Sequence, residues 1–164
     1  MTIIVMGVTG SGKTTIGTLL AQQLGWTFAD ADDFHTPANK EKMSKGIALT
    51  DADRGPWLEA IHEAIVRWEA AGTNAVVACS ALKQAYRDLL SENVDVKFVY
   101  LRGSAELILE RLGHRKGHYA KENLVASQFE ALEEPQEGKN THVVEIGRTP
   151  EQIVAEIRRQ LKLQ

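Results

Sequence analysis

Cysteine is nearly absent from this chain of 164 residues: Cys79 stands alone, which excludes an internal disulfide and any metal site built from several thiolates. It lies in an apolar run, where a cysteine behaves as a small hydrophobe. Long hydrophobic runs are also missing. The apolar opening from Met1 is cut off at Gly7, too short for a signal peptide or a membrane span, which predicts a cytoplasmic protein with no membrane partner. Nor does one sign of charge dominate: 19 Lys and Arg are scattered among 22 Asp and Glu for a formal charge of −3, so no basic stripe is available to track nucleic acid. Internal repeats and low-complexity segments do not occur. With 43% hydrophobic residues, the chain fits one domain, 1–164, around one core.

What is present is an alternation. Short β-branched runs (Ile3 to Val5, Trp26 to Ala29, Ala75 to Ala78, Val96 to Tyr100, Val143 to Ile146) alternate with longer helical patterns. That order predicts an α/β fold with a five-stranded parallel sheet and helices on both faces. Ile16, Leu19, Leu20 and Leu24 recur at helical spacing, with Gly25 as a stop. Thr50 with Asp53 forms an acidic variant of a capping box before a helix that runs to Gly72, and Thr149-Pro150 with Gln152 caps a closing amphipathic helix. The least patterned stretches, Gly113 to Ala120 and Glu133 to Asn140, are the candidate mobile loops.

Gly7-Val8-Thr9-Gly10-Ser11-Gly12-Lys13-Thr14 matches the P-loop pattern in full, after a strand and before a helix, where that pattern must stand. Glycines there let backbone N–H groups turn inward around phosphate oxygens. Gly7, Thr9, Gly10, Ser11, Gly12, Lys13, Thr14 and Thr15 are the candidate nucleotide contacts. Lys13 is the point charge for the β and γ phosphates, and the Thr14 hydroxyl is a hard oxygen ligand suited to Mg²⁺. The motif by itself fits a kinase, a GTPase, an ATPase or a nucleotide-sensing module.

The second strand runs into Asp30-Ala31-Asp32-Asp33. Residues two apart on an extended chain face the same way, so Asp30 and Asp32 can both point off the carboxyl edge of the sheet, where open α/β folds bind ligands. One carboxylate can hold Mg²⁺ through water while the other accepts a hydroxyl proton; Asp30 is assigned to the metal and Asp32 to the proton, with the converse open. Asp33 reads as a cap for the next helix.

Beyond these motifs the chain resembles the short P-loop gluconokinases, relatives in fold of the shikimate and nucleoside monophosphate kinases. The likeness rests on His35-Thr36-Pro37-Ala38-Asn39, Lys42-Met43, Gly46 and Leu49 to Arg54 leading into Pro56-Trp57-Leu58. It continues through Cys79-Ser80-Ala81-Leu82-Lys83, Tyr86-Arg87-Asp88, Arg111, Arg115 to Tyr119, Ser127-Gln128-Phe129, Leu132-Glu133 and Pro135. Ala48 stands where that family often has proline and Tyr119 where phenylalanine is common; neither is a charge the chemistry needs. The resemblance implies a P-loop kinase fold with ATP and Mg²⁺ as cofactors and gluconate as acceptor, and it leaves a homodimer open. It implies an acceptor-binding segment at 30–58, with Arg54, Lys83 and Arg87 for the carboxylate and Asp32, His35, Ser80, His118 and Gln128 for the hydroxyls. Each has a structural alternative: a solvated helix face for Lys83 and Arg87, satisfied structural histidines for His35 and His118, plain surface for Gln128.

The segment 113–120 is basic and glycine-flanked, the composition of a closing lid, and Arg115 on it, with Arg111 one turn before it if the preceding helix extends that far, could balance charge on the transferring phosphoryl group. Two other readings share the phosphate loop. A shikimate or nucleoside monophosphate kinase would differ in the acceptor segment from Asn39 to Leu58, and a non-enzymatic nucleotide-dependent regulator need not keep Asp32, Lys83 or the lid arginines.

Overall fold

A computed structural model describes residues 1–113 and 119–163, the side chains of 119–121 excepted. Among them, five parallel strands form one sheet flanked by seven α-helices. In chain order these are β1 (Thr2–Met6), α1 (Lys13–Leu24), β2 (Thr27–Asp30), a 3₁₀ turn (Ala31–Phe34), α2 (Pro37–Ser44), α3 (Asp51–Ala70) and β3 (Ala75–Ala78). Then follow α4 (Gln84–Leu90), β4 (Val96–Arg102), α5 (Ala105–Arg111), α6 (Tyr119–Ala131), β5 (Thr141–Glu145) and α7 (Pro150–Leu161).

The sheet order is β2-β3-β1-β4-β5. A central parallel strand is covered on both faces and therefore apolar throughout. In β1, Ile3, Ile4, Val5 and Met6 are fully buried and divide by the period of two: Ile3 and Val5 pack with Ile16 and Leu20 of α1 and Ile153 and Ile157 of α7, whereas Ile4 and Met6 pack with Trp57, Ile61 and Ile65 of α3 and Leu90 of α4. The register sets Ile3 opposite Val76 on one side and Lys97 on the other.

This arrangement positions the site. The helix that leaves β1 covers one face, and the helix that leaves the neighbouring β3 covers the other. The carboxyl ends of β1 and β3 therefore open a crevice between diverging connections, the place where such sheets bind ligands.

The expected helix signals act as read. Gly25 closes α1 at φ 70°, and both Thr50 with Asp53 and Thr149 with Gln152 make reciprocal capping boxes. Three expectations need correction. Ile146 lies just past β5, although it is fully buried. Among the described residues Asp33 caps no helix: Thr36 caps α2 by accepting from the Asn39 N–H, and Asp30 caps the 3₁₀ turn by accepting from the Asp32 N–H. The stretch 133–140 is tied down. Glu133 N–H donates to the Leu82 carbonyl at 2.8 Å, Glu133 Oε1 accepts from Gln84 N–H at 3.0 Å, and Glu137 Oε1 accepts from Val143 N–H at 3.2 Å. Of the expected lid, Gly113 ends α5 by donating to the Glu110 carbonyl and Tyr119 opens α6, while Arg115 and His118 lie outside the described residues.

Candidate active site

The loop between β1 and α1 is shaped by its glycines. A Cβ on Gly7 would sit 2.8 Å from Ser11 Oγ, and Gly12 occupies the N-cap of α1 at φ 97°, a conformation that L side chains rarely adopt. Among the described residues no side chain caps this helix. Its first-turn N–H groups and its positive dipole end are thus directed at the crevice, the arrangement that binds phosphate. Lys13 Nζ reaches back to the Val8 carbonyl at 3.0 Å. Burial lowers its pKa, while the carboxylates of Asp32 and Asp30 pull it back up. Burial also pushes the Cys79 thiol up to about 12, so it stays neutral beside the lysine.

A cavity of about 400 Å³ runs along this loop, lined by Thr9, Gly10, Gly12 to Thr15, Asp30, Asp32, Ser80 and Gln128. Ser11 stays behind it: its N–H is bonded to the Val8 carbonyl at 3.2 Å, and its hydroxyl is buried without a partner among the described residues. The Thr14 hydroxyl donates to Asp30 Oδ2 at 3.3 Å, and Asp30 Oδ1 accepts from the Asp32 N–H at 3.0 Å. Asp30 is the last residue of β2 and Asp32 already lies in the 3₁₀ turn, so strand alternation does not bring them together; this side-chain to backbone bond does. Among the described residues no group of three or more His, Cys, Asp and Glu could hold a metal. A Thr14 hydroxyl beside one carboxylate nonetheless fits Mg²⁺, which takes few protein oxygens and completes its shell with phosphate and water.

A second cavity of about 460 Å³ adjoins the first, and Asp32, Ser80 and Gln128 line both. Its far wall carries Arg54, Lys83 and Tyr86; Met43, Ile47, Leu49 and Leu124 supply apolar surface. The Asp32 side chain is 83% exposed and free to meet a ligand, whereas the His35 side chain, 4.0 Å from it, is only 5% exposed. His35 stacks on Trp57 with ring centroids 4.3 Å apart, and Trp57 Nε1 donates to the Ala31 carbonyl at 2.7 Å. Burial lowers the His35 pKa, outweighing the pull of Asp32. Gln128 Oε1 accepts from the Thr9 N–H at 2.6 Å, which joins α6 to the phosphate loop.

Arg87 does not belong to this group. It is buried, and its guanidinium donates to the carbonyls of Ala81 and Glu133, both at 2.7 Å, and to Gln84 Oε1 at 3.0 Å. Its expected part in holding the acceptor carboxylate is not what the structure places here, because its guanidinium is taken up by these partners, and the alternative of a helix face shared with Lys83 fails too, since Lys83 is the N-cap of α4 in extended conformation. Arg111, in the last turn of α5, donates to the Ile146 carbonyl; a Cβ on Gly12 would lie 3.8 Å from its Nη1, which sets the guanidinium beside the phosphate loop. Among the residues at the site that had not been singled out are Trp57, Tyr86 and Asp51. Each lay within a quoted string, yet only the fold shows that the Tyr86 hydroxyl meets both Asp51 and Arg54.

A phosphate cradle and a polyol-sized, cation-walled cavity that share Asp32 define the class, a P-loop kinase of small molecules, and the family model for shikimate kinase matches residues 9–162. Within that class the relatives are narrower. A probable gluconokinase of Xenopus tropicalis is 44% identical over 96% of this chain and 91% of its own, and the gluconokinase of Gluconobacter oxydans is 42% identical over 94% and 88%. The crystal structure of a gluconokinase from Sinorhizobium meliloti superposes with a TM-score of 0.82 at 39% identity, covering 98% of this chain and 95% of that one. The chain belongs to the gluconokinase family, and is thereby a phosphotransferase with an alcohol group as acceptor. Its kinase family implies ATP as donor.

Proposed function

We propose that this chain transfers the γ-phosphate of ATP to D-gluconate, with release of ADP and 6-phospho-D-gluconate. The observation that carries the reading is the junction of the two cavities at Asp32, with Lys13 on the donor side and Arg54 and Lys83 on the acceptor side. Gluconate is a linear polyol with a carboxylate at one end. Its carboxylate fits the Arg54 and Lys83 wall, its hydroxyls fit Ser80, His35 and Gln128, and its terminal hydroxyl then falls at Asp32.

In this reading the Asp32 carboxylate takes the proton of the terminal hydroxyl as that oxygen bonds the γ-phosphorus and the bond to the β-phosphate oxygen breaks. Lys13 balances charge on the β and γ phosphates, and Arg111 adds a cation beside the loop. Thr14 and Asp30 would hold Mg²⁺, which would supply neutralisation of phosphate charge. Arg115 is retained as a second phosphoryl cation and His118 as a hydroxyl partner, although both lie outside the described residues.

Coupled ADP release over gluconate, other aldonates, shikimate and nucleoside monophosphates tests the assignment. Gluconate should give the highest kcat/KM. Faster turnover of shikimate or a nucleotide would replace it with the other acceptor class.

A further inference from the structure

The two cations of the acceptor wall are already paired with a carboxylate that the cavity does not contain. Asp51, the first residue of α3, accepts from Lys83 Nζ at 3.0 and 3.3 Å, accepts from the Tyr86 hydroxyl, and lies 3.7 Å from Arg54 Nη1. Arg54 Nη1 also donates to the Tyr86 hydroxyl at 3.3 Å, and both cations approach the Tyr86 ring, Lys83 at 5.6 Å and Arg54 at 6.0 Å from its centroid. Arg54, Lys83 and Tyr86 line the cavity, whereas Asp51 is not among its lining residues. The next acid along the helix, Asp53, is committed elsewhere: it binds Lys42 Nζ at 2.9 Å and closes the capping box with Thr50. His35 is kept neutral by burial.

At this wall two cations against one carboxylate leave one net positive charge; the Asp32 carboxylate lies apart from it, at the junction with the first cavity. Resting on the reading that Arg54 and Lys83 receive the acceptor's anionic end, we propose that Asp51 is a specificity-determining residue that matches the pocket's charge to a monocarboxylate and disfavours dianionic end groups. A bound carboxylate completes the neutralisation. A phosphate monoester in its place brings a second negative charge that finds no further cation among the described residues lining the cavity and is repelled by Asp51. The group is 67% exposed, so water screens this repulsion to a several-fold preference rather than an absolute one. Asp51 does not touch the acceptor; it acts through Lys83, Arg54 and Tyr86.

The test is Asp51→Asn, which removes the charge and keeps an amide oxygen able to accept from Lys83 and Tyr86. At pH 8, where a phosphate monoester is dianionic, the KM for gluconate and the competitive inhibition constant of D-glucitol 1-phosphate are measured together. The KM should fall about twofold and the inhibition constant about fourfold, because the relieved repulsion scales with ligand charge. Asp51→Glu should restore the original ratio. A merely structural role would raise both constants together, and a ratio unchanged in Asp51→Asn overturns the inference alone. Absence of gluconate turnover by the unsubstituted chain overturns the reading beneath it, and the inference with it.

Discussion

Gln128 Oε1 accepts the backbone N–H of Thr9 at 2.6 Å, so one side chain from α6 is fastened to the phosphate loop while it also lines the acceptor cavity. Donor and acceptor sites are therefore joined mechanically. Gln128→Ala frees a loop N–H and removes an acceptor contact in the same step. A bond of this kind contributes about 1 kcal/mol, so the KM for ATP and the KM for gluconate should each rise about fivefold, with the melting temperature nearly unchanged. A rise confined to gluconate would mean that the bond to Thr9 does not order the loop.

Lys13→Ala should reduce turnover by about a thousandfold or more, because the ammonium balances charge that grows on the phosphates during transfer. The fold should survive. Burial already disfavours the Lys13 charge, so its loss is expected to leave the melting temperature unchanged or slightly higher. Removing Mg²⁺ with EDTA should likewise abolish ADP release, and restoring it should recover the rate. Retention of near-normal turnover by Lys13→Ala would place phosphate binding elsewhere.

Arg54 and Arg87 carry the same group and should fail differently. Arg87→Ala leaves the carbonyls of Ala81 and Glu133 without their buried donor and should cost about 3 kcal/mol of stability, read as a lower denaturation midpoint. Arg54→Ala lies in the cavity wall and should raise the KM for gluconate about tenfold at unchanged midpoint. The reverse pattern would exchange their roles.

That contrast marks the limit of what the sequence discloses. Strong local signals carry through: the glycine-rich loop, the stop at Gly25, and the capping boxes at Thr50 and Thr149 each act within a few residues, and each forms as its pattern says. Helix α2 is polar along Asn39, Lys40, Glu41 and Lys42 and has no apolar stripe, so only Thr36-Pro37 hints at it. The task of Arg87 depends on the Glu133 carbonyl, 46 residues away, and no periodicity reports a partner at that range. Asp30 and Asp32 were legible as a pair, but what joins them is a turn-capping bond rather than the pleat of a strand.

The buried His35 gives stability a pH dependence whose sign can be worked out. Its folded pKa is depressed below 6.5 by burial, so between those two values the unfolded chain binds more protons than the folded one. Stability should therefore be full above about pH 6.5 and decline as pH falls from there toward the folded pKa. Asp51 and Asp53 are depressed below 3.8 by their hydrogen bonds, to Tyr86 and Lys83 for the first and to Thr50 and Lys42 for the second; their contribution is lost only below that pH. As pH falls, the His35 window opens first. His35→Phe keeps a ring to stack on Trp57 and has nothing to protonate, so its melting temperature should stay flat from pH 7 to 5 where the unsubstituted chain declines. Parallel curves for the two proteins would show that another group sets the decline.

Arg111 sits where the last turn of α5 meets the phosphate loop, held by its bond to the Ile146 carbonyl beside Gly12. That carbonyl is neutral, so the guanidinium charge stays available to a phosphate. Replacement by alanine should lower kcat about a hundredfold while the KM for gluconate moves less than threefold, because the charge it meets develops during transfer rather than in the bound acceptor. Lysine restores the charge but not the fork, and should recover part of kcat. Equal losses in Arg111→Ala and Arg111→Lys, with a lowered melting temperature in both, would show instead that the residue serves the junction of α5 with the segment after β5.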